Sequence, residues 1–147
     1  MTERIAYPDI EKTLVDYLTT QLAASSDTAK VVTRVPDPRP SRMVRVVRND
    51  RKLRADREDR EGRRGPHLIF DHPRVVFECT DNSGGAAALA ALIRAILAGA
   101  APGYLGSVWC DYIEDVGVES DTDPATATPR QTVTADLIVR GKVLPAN

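Results

Sequence analysis

The sequence predicts an α+β domain: a two-layer sandwich of two helices packed on one mostly antiparallel sheet, with a long charged hairpin loop. Three observations predict it. Apolar residues recur at helical spacing in two segments, Ile10 to Leu22 and Leu89 to Leu97. Apolar and polar residues alternate along several others, most clearly at 74–80 and 132–139. The segments follow the order helix, two strands, loop, strand, helix, two strands. Helices with one apolar stripe and a sheet with one apolar face need each other as cover.

Each element follows from its residues. In 8–23, Ile10, Leu14, Tyr17, Leu18 and Leu22 make one stripe, Pro8 fits a first turn, and Ser25-Ser26-Asp27 ends the helix. Val31, Val32 and Val35 point to a short strand, closed by Pro36, Pro38 and Pro40. Met43, Val44, Val46 and Val47 form a second, interleaved with Arg42, Arg45 and Arg48. His67 to Phe70 begins a third strand, with Asp71-His72-Pro73 as a bulge or turn before Arg74. In RVVFECTDNSGGAAALAALIRAILAG, from Arg74 to Gly99, a strand leads through a polar turn into a helix. Asp81, Asn82 and Ser83 are N-cap candidates there, and Gly99 stands where a C′ glycine would stop the helix. Val108, Cys110, Tyr112, Val116 and Val118 share one face of a long or bent strand, and the intrusion of Glu114 points to a bulge. Residues 119–131 read as a polar loop, and the last strand runs from Thr132 to Arg140, ended by Gly141.

Length and composition set bounds. A chain of 147 residues fits one domain, 1–147, with a core resting on Val, Leu, Ile and Ala because aromatics are only 5%. The net charge of −1 favours no polyanionic partner, but the charges are clustered. From Arg39 to Arg64, ten Arg and one Lys face five acids, a net of +6; from Asp111 to Asp123 six acids face no base, a net of −6. No apolar run approaches the roughly 20 residues that span a bilayer, and no signal peptide is expected at the N-terminus. Cys79 and Cys110 lie outside any metal or redox spacing and read as reduced core thiols.

Motifs for chemistry are weak. Asn82-Ser83-Gly84-Gly85 precedes a helix but lacks the lysine of a phosphate loop. His67, Asp71 and His72 are the one cluster of catalytic residue types, without a third metal ligand or a helix to align the rings. The acidic run matches no calcium loop and reads as a solvated or interface face. No catalytic, cofactor or metal residue is therefore assigned, and an enzyme is not expected. Arginine recurs at every third position from Arg39 to Arg63, a step that winds around a helix and alternates faces on a strand. Residues 49–66 thus read as a mobile hairpin loop whose Arg51, Arg54, Arg57 and Arg60 meet solvent, an acidic partner or, without sequence preference, a phosphate backbone. In this register Trp109, Ile113 and Ile138 fall on the sheet face away from the helices, which points to a partner. Asp111, Glu114 and Asp115, with Trp109 and Ile138, complete the candidate interaction residues.

The segments YPDIEKTLVDYL, RVVFECTDNSGGAAALAALIRAIL and TPRQTVTADLIVRG resemble the tail terminator proteins of long-tailed actinobacterial phages, over nearly the whole chain. The resemblance implies a structural virion protein at the head–tail junction: a homohexameric ring that caps the tail tube, ends its growth and joins it to the head connector, with DNA passing through the lumen. It implies contacts with the tail tube protein and the connector, no membrane, no cofactor, and assembly in the host cytoplasm. The family supplies no catalytic residue or short binding motif to carry over. Head-to-tail ring contacts would give the +6 and −6 segments a use. The alternative is a small cytoplasmic binding or regulatory module that uses its arginine loop on nucleic acid or an acidic partner.

Overall fold

The computed structural model describes residues 4–50, 62, 63, 65 and 67–144. It contains two helices, α1 (Ile10–Ala24) and α2 (Ala86–Ala100), and ten strands: β1 (Ile5–Ala6), β2 (Lys30–Val32), β3 (Arg42–Arg48), β4 (Gly62–Arg63), β5 (Ile69–Asp71), β6 (Arg74–Asp81), β7 (Gly103–Leu105), β8 (Val108–Thr122), β9 (Pro129–Arg140) and β10 (Lys142–Val143). The protein is α+β, with one large mixed sheet curled into a half-barrel. Only β2 and β3 pair in parallel; the other ladders are antiparallel. No helix among the described residues is long and apolar enough to cross a membrane.

Local chemistry fixes the helix ends. Asp9 caps α1, its carboxylate accepting from the Lys12 amide at 3.2 Å. At the other end Ser26 turns to a φ of 59°, and the amides of Ser26 and Asp27 donate to the Ala23 and Leu22 carbonyls, closing a Schellman motif. α2 departs from expectation at both ends. Its N-cap is Gly85, without a side-chain cap, so none of Asp81, Asn82 and Ser83 stands at the cap; Asp81 accepts from the Ser83 amide at 2.8 Å and from Arg42 at 2.7 Å. Gly99 lies inside the helix, and the stop comes at Ala101, which is extended and precedes Pro102.

The strand path is β2, β3, β6, β9, β8, β7, with β5 prolonging the line of β6 along β9. Val139 pairs with Asp71 on one side and Cys110 on the other, so β5 and β6 share one edge of β9 and β8 takes the other. β4 likewise prolongs β3: Asn49 still bonds to Arg74, and Gly62 rejoins opposite Phe70. The basic segment is therefore not the tip of a hairpin loop over 49–66. It leaves a strand line after Asp50 and returns at Gly62, and Gly62–Arg63 is strand where loop was expected. Residues 51–61, with Arg51, Arg54, Arg57 and Arg60, lie outside the described residues.

The core joins Leu14, Leu18 and Leu22 of α1, Leu89, Ile93 and Leu97 of α2, and the inner sheet residues Val44, Val46, Val75, Phe77, Cys79, Val133, Ala135, Leu137 and Val139. At the far end β10 pairs with β1 and ties the chain's two ends together. Gly141 permits this approach: a Cβ there would lie 2.7 Å from the Ala6 carbonyl oxygen and collide with Ile69.

The long strand is where alternation misleads. β8 carries bulges between Cys110 and Tyr112 and between Asp115 and Gly117, on either side of Glu114. The first reverses the faces. Ile113 pairs with Leu137 and packs against the core instead of lying on the outer face, while Tyr112 points out opposite Ile138. β8 and β9 also run further than expected, so the 119–131 loop shrinks to residues 123–128.

Candidate interaction surfaces

The described arginines of the basic block are not free charges. On β3 the three-residue step alternates faces as the sequence reading requires. Arg42 and Arg48 lie on the helix side and Arg45 on the other, judged by their register with the buried Val44 and Val46. Arg42 grips Asp27 through Nε and Nη2 at 3.0 and 2.8 Å, and its Nη1 donates to Asp81 and to the Gly85 carbonyl at 2.7 and 3.2 Å. It thereby joins the end of α1, the end of β6 and the start of α2. Arg48 does the same at the other end: Asp71 accepts from both Nη atoms at 2.7 and 2.9 Å, Asp50 accepts from Nε, and Glu11 of α1 accepts from the Arg48 amide. The Arg42 hydrogen bonds hold the Asp27 carboxyl below its ordinary value, and the Ser83 amide followed by Arg42 does so for Asp81. Both guanidinium pKa values rise, chiefly through the Asp27 and Asp71 hydrogen bonds respectively.

Four of the six acids of the acidic block are engaged in the same way. Arg130 binds Asp121 through two parallel bonds of 2.9 and 2.8 Å, Arg140 binds Asp111 at 3.0 and 2.6 Å, Arg94 binds Asp115 at 2.7 Å, and Arg39 pairs with Asp123. Among the described residues one of these pairs, Arg39–Asp123, joins the two charge blocks within one chain. With Arg39, Arg42, Arg45 and Arg48 paired, the rest of the basic block, 49–64, carries seven bases against five acids, a net of +2. Pairing within the chain thus lowers the charge that a head-to-tail attraction between the +6 and −6 segments could draw on.

The reactive-looking residues are also dispersed. His67 is exposed, whereas Asp71 and His72 are buried and Asp71 is held by Arg48. No group of three or more His, Cys, Asp or Glu is arranged to hold a metal among the described residues. Cys79 and Cys110 are unbridged and buried, and burial pushes their thiols up to about 12 and about 11.

Two surfaces remain open. The first is the far half of β8. β7 pairs only with Val108–Cys110, so from Asp111 to Thr122 one edge of β8 has no strand beside it among the described residues. Val116 and Val118 stand 45% and 44% exposed along it. Asp115 lies on this edge, while Glu114 is half-buried opposite Asp136.

The second is aromatic, at the end of β9 where Arg140 emerges. Trp109 and Ile138, expected on an exposed face, are half-buried there, and the open aromatic is Tyr104 at 64%. Tyr104 and Trp109 meet edge to face at 4.9 Å between centroids, and the Arg140 guanidinium lies 5.7 Å over Phe70 and 6.0 Å over Trp109. Asp111 accepts from the Trp109 indole at 3.2 Å while holding Arg140, so the expected Asp111 and Trp109 do come together. Tyr7, Pro8, Tyr104, Trp109 and Lys142 line an open groove of about 760 Å³. Tyr7 and Lys142 reach it because β1 and β10 pair, a contact between chain ends that leaves no periodic signal in the sequence.

No protein-family model matches the chain, and no curated protein does either.

Proposed function

We propose that this chain is the ring-forming subunit of a phage tail terminator, a structural virion protein that acts by assembly and not by catalysis. The subunit in this reading is a two-layer sandwich, with two helices on one face of the sheet and the other face and edges given to neighbours. The observation that carries it is the unpaired edge of β8 from Asp111 to Thr122. Twelve residues of strand extend about 40 Å. The two bulges interrupt it, and the run beyond Gly117, with Val118 exposed, is the part on which another chain could pair. The aromatic groove is a second, unlike surface, and two unlike surfaces on one subunit suit the heterologous contacts that close rings. The hexamer would cap the tail tube protein, meet the head connector and leave a lumen for DNA. Light scattering of the full chain over a concentration series, with electron microscopy of virion necks, tests this. Six-fold rings are expected in at least one setting, and a strict monomer in both overturns the reading.

A further inference from the structure

The aromatic groove has a matching ligand on the same molecule. Residues 33–38 after β2 are all exposed, and they include Val35 at 43%, Pro36, Asp37 and Pro38. β2 ends one side of the sheet path and β7, which carries Tyr104, ends the other. The two features also sit at opposite ends of β9. Arg39, just beyond Pro38, pairs with Asp123 beside the start of β9, whereas Arg140 at its end lines the groove. Thr33, at the start of the segment, is held by Arg45 in register with Thr132, so at least eight residues of β9, about 26 Å, separate the segment from Arg140. The segment therefore cannot reach its own groove, but a second copy's can. We propose that the Val35–Pro38 segment of one subunit docks in the Tyr7–Tyr104–Trp109 groove of the next, a contact that rests on the ring reading and supplies its partner.

The chemistry is complementary. Proline-rich segments seat on aromatic-lined grooves, and a proline side chain loses almost no rotamer entropy when buried. The side chains of Asp37 and Lys142 make no hydrogen bond or ion pair among the described residues, so each has a charge to offer across the contact. A groove of about 760 Å³ holds a segment of a few residues. Because the donor and acceptor sites differ, the contact is head to tail and leaves one of each open on every open-ended assembly.

Trp109 is the single tryptophan, so its emission reports on the groove directly. The full chain is titrated with a peptide of residues 33–41, and with the same peptide carrying Asp37→Lys. The expected result is a saturable shift of Trp109 emission, about two- to fivefold weaker in affinity for the charge-reversed peptide, as a rim ion pair gives. Tyr104→Ser, at a largely exposed position, should weaken both peptide binding and self-association. Asp37→Lys and Lys142→Glu should each weaken self-association, and the double variant should restore it. A flat peptide titration with rings still forming in Tyr104→Ser overturns the pairing and leaves the ring reading intact. Emission that shifts on ring formation but not with peptide assigns the groove to another segment and also overturns it. A strict monomer that still binds the peptide defeats the ring reading and, with no next subunit, the contact between subunits as well.

Discussion

The stretch from β6 into α2 and the far half of β8 have similar local character and opposite environments. Both alternate apolar and polar residues, and both contain exposed-face acids. In β6, Val75, Phe77 and Cys79 are fully buried, since α2 lies over them. In β8, Val116 and Val118 are nearly half exposed. Alternation records what a strand could bury, and only the packing of the other elements decides whether it does. The covered half stabilises the fold, and the bare half leaves its valines uncovered by the described residues.

Phe77→Ala should break the comparison hardest. Its ring is fully buried where α2 meets the sheet, and deleting such a side chain costs about 3–5 kcal/mol. Val118→Ala, on the same kind of strand, should shift stability by no more than about 0.5 kcal/mol. Denaturant midpoints of the two variants measure the contrast. Equal losses would mean that the outer half of β8 is covered within the subunit after all.

Arg42→Met comes next. The guanidinium is one-fifth exposed and its two carboxylates about one-tenth, so removal leaves Asp27 and Asp81 facing each other with little water. A cost of about 2–3 kcal/mol follows, somewhat below that of breaking a fully buried pair. The pH dependence carries a definite sign. Asp27 and Asp81 are held below their ordinary value of 3.8, so the unfolded chain takes up protons first as pH falls. Their stabilising contribution is present above about pH 4 and is lost as pH drops through the lower folded values. The stability gap between wild type and Arg42→Met should therefore narrow in acid, and a gap constant from pH 6 to pH 2.5 would contradict the assignment. Gly85→Ala should imitate part of this effect, because a Cβ there would lie 2.5 Å from an Asp81 oxygen and 2.9 Å from Arg42 Nη1.

What could be read in advance follows the same divide. The β6–α2 unit was legible because its signals are local: period two, then period 3.6, with a polar turn between. Its cap was not: Gly85 stands there, and Asp81 is bound by Arg42, 39 residues earlier in the chain. The alternation of Arg42, Arg45 and Arg48 was legible, but their carboxylate partners were not, and that hid how many of these charges are paired within the chain. Glu114 correctly marked irregularity in β8, yet the two bulges that flank it reversed the faces assigned to Tyr112 and Ile113. Trp109 was expected on an exposed face and is half-buried, and Tyr7 and Lys142 reach its groove through pairing of the two chain ends.

The smallest effect on stability should accompany the sharpest effect on assembly. Val116 occupies the second bulge of β8, has no paired partner on β9 and is 45% exposed on the unpaired edge. Replacing it with Lys removes little buried surface, so the unfolding midpoint should move by about 0.5 kcal/mol or less. A lysine on an exposed edge nevertheless blocks strand addition, because its charge would have to be desolvated between two chains. Val116→Thr keeps the branched side chain that strands favour and introduces no charge. If the edge docks a neighbouring strand, Val116→Lys should yield folded monomers under conditions where Val116→Thr still assembles, as read by light scattering on matched concentrations. Rings formed equally by both would show that the bare half of β8 takes no neighbour. The comparison with β6 would then describe a solvated strand rather than an interface.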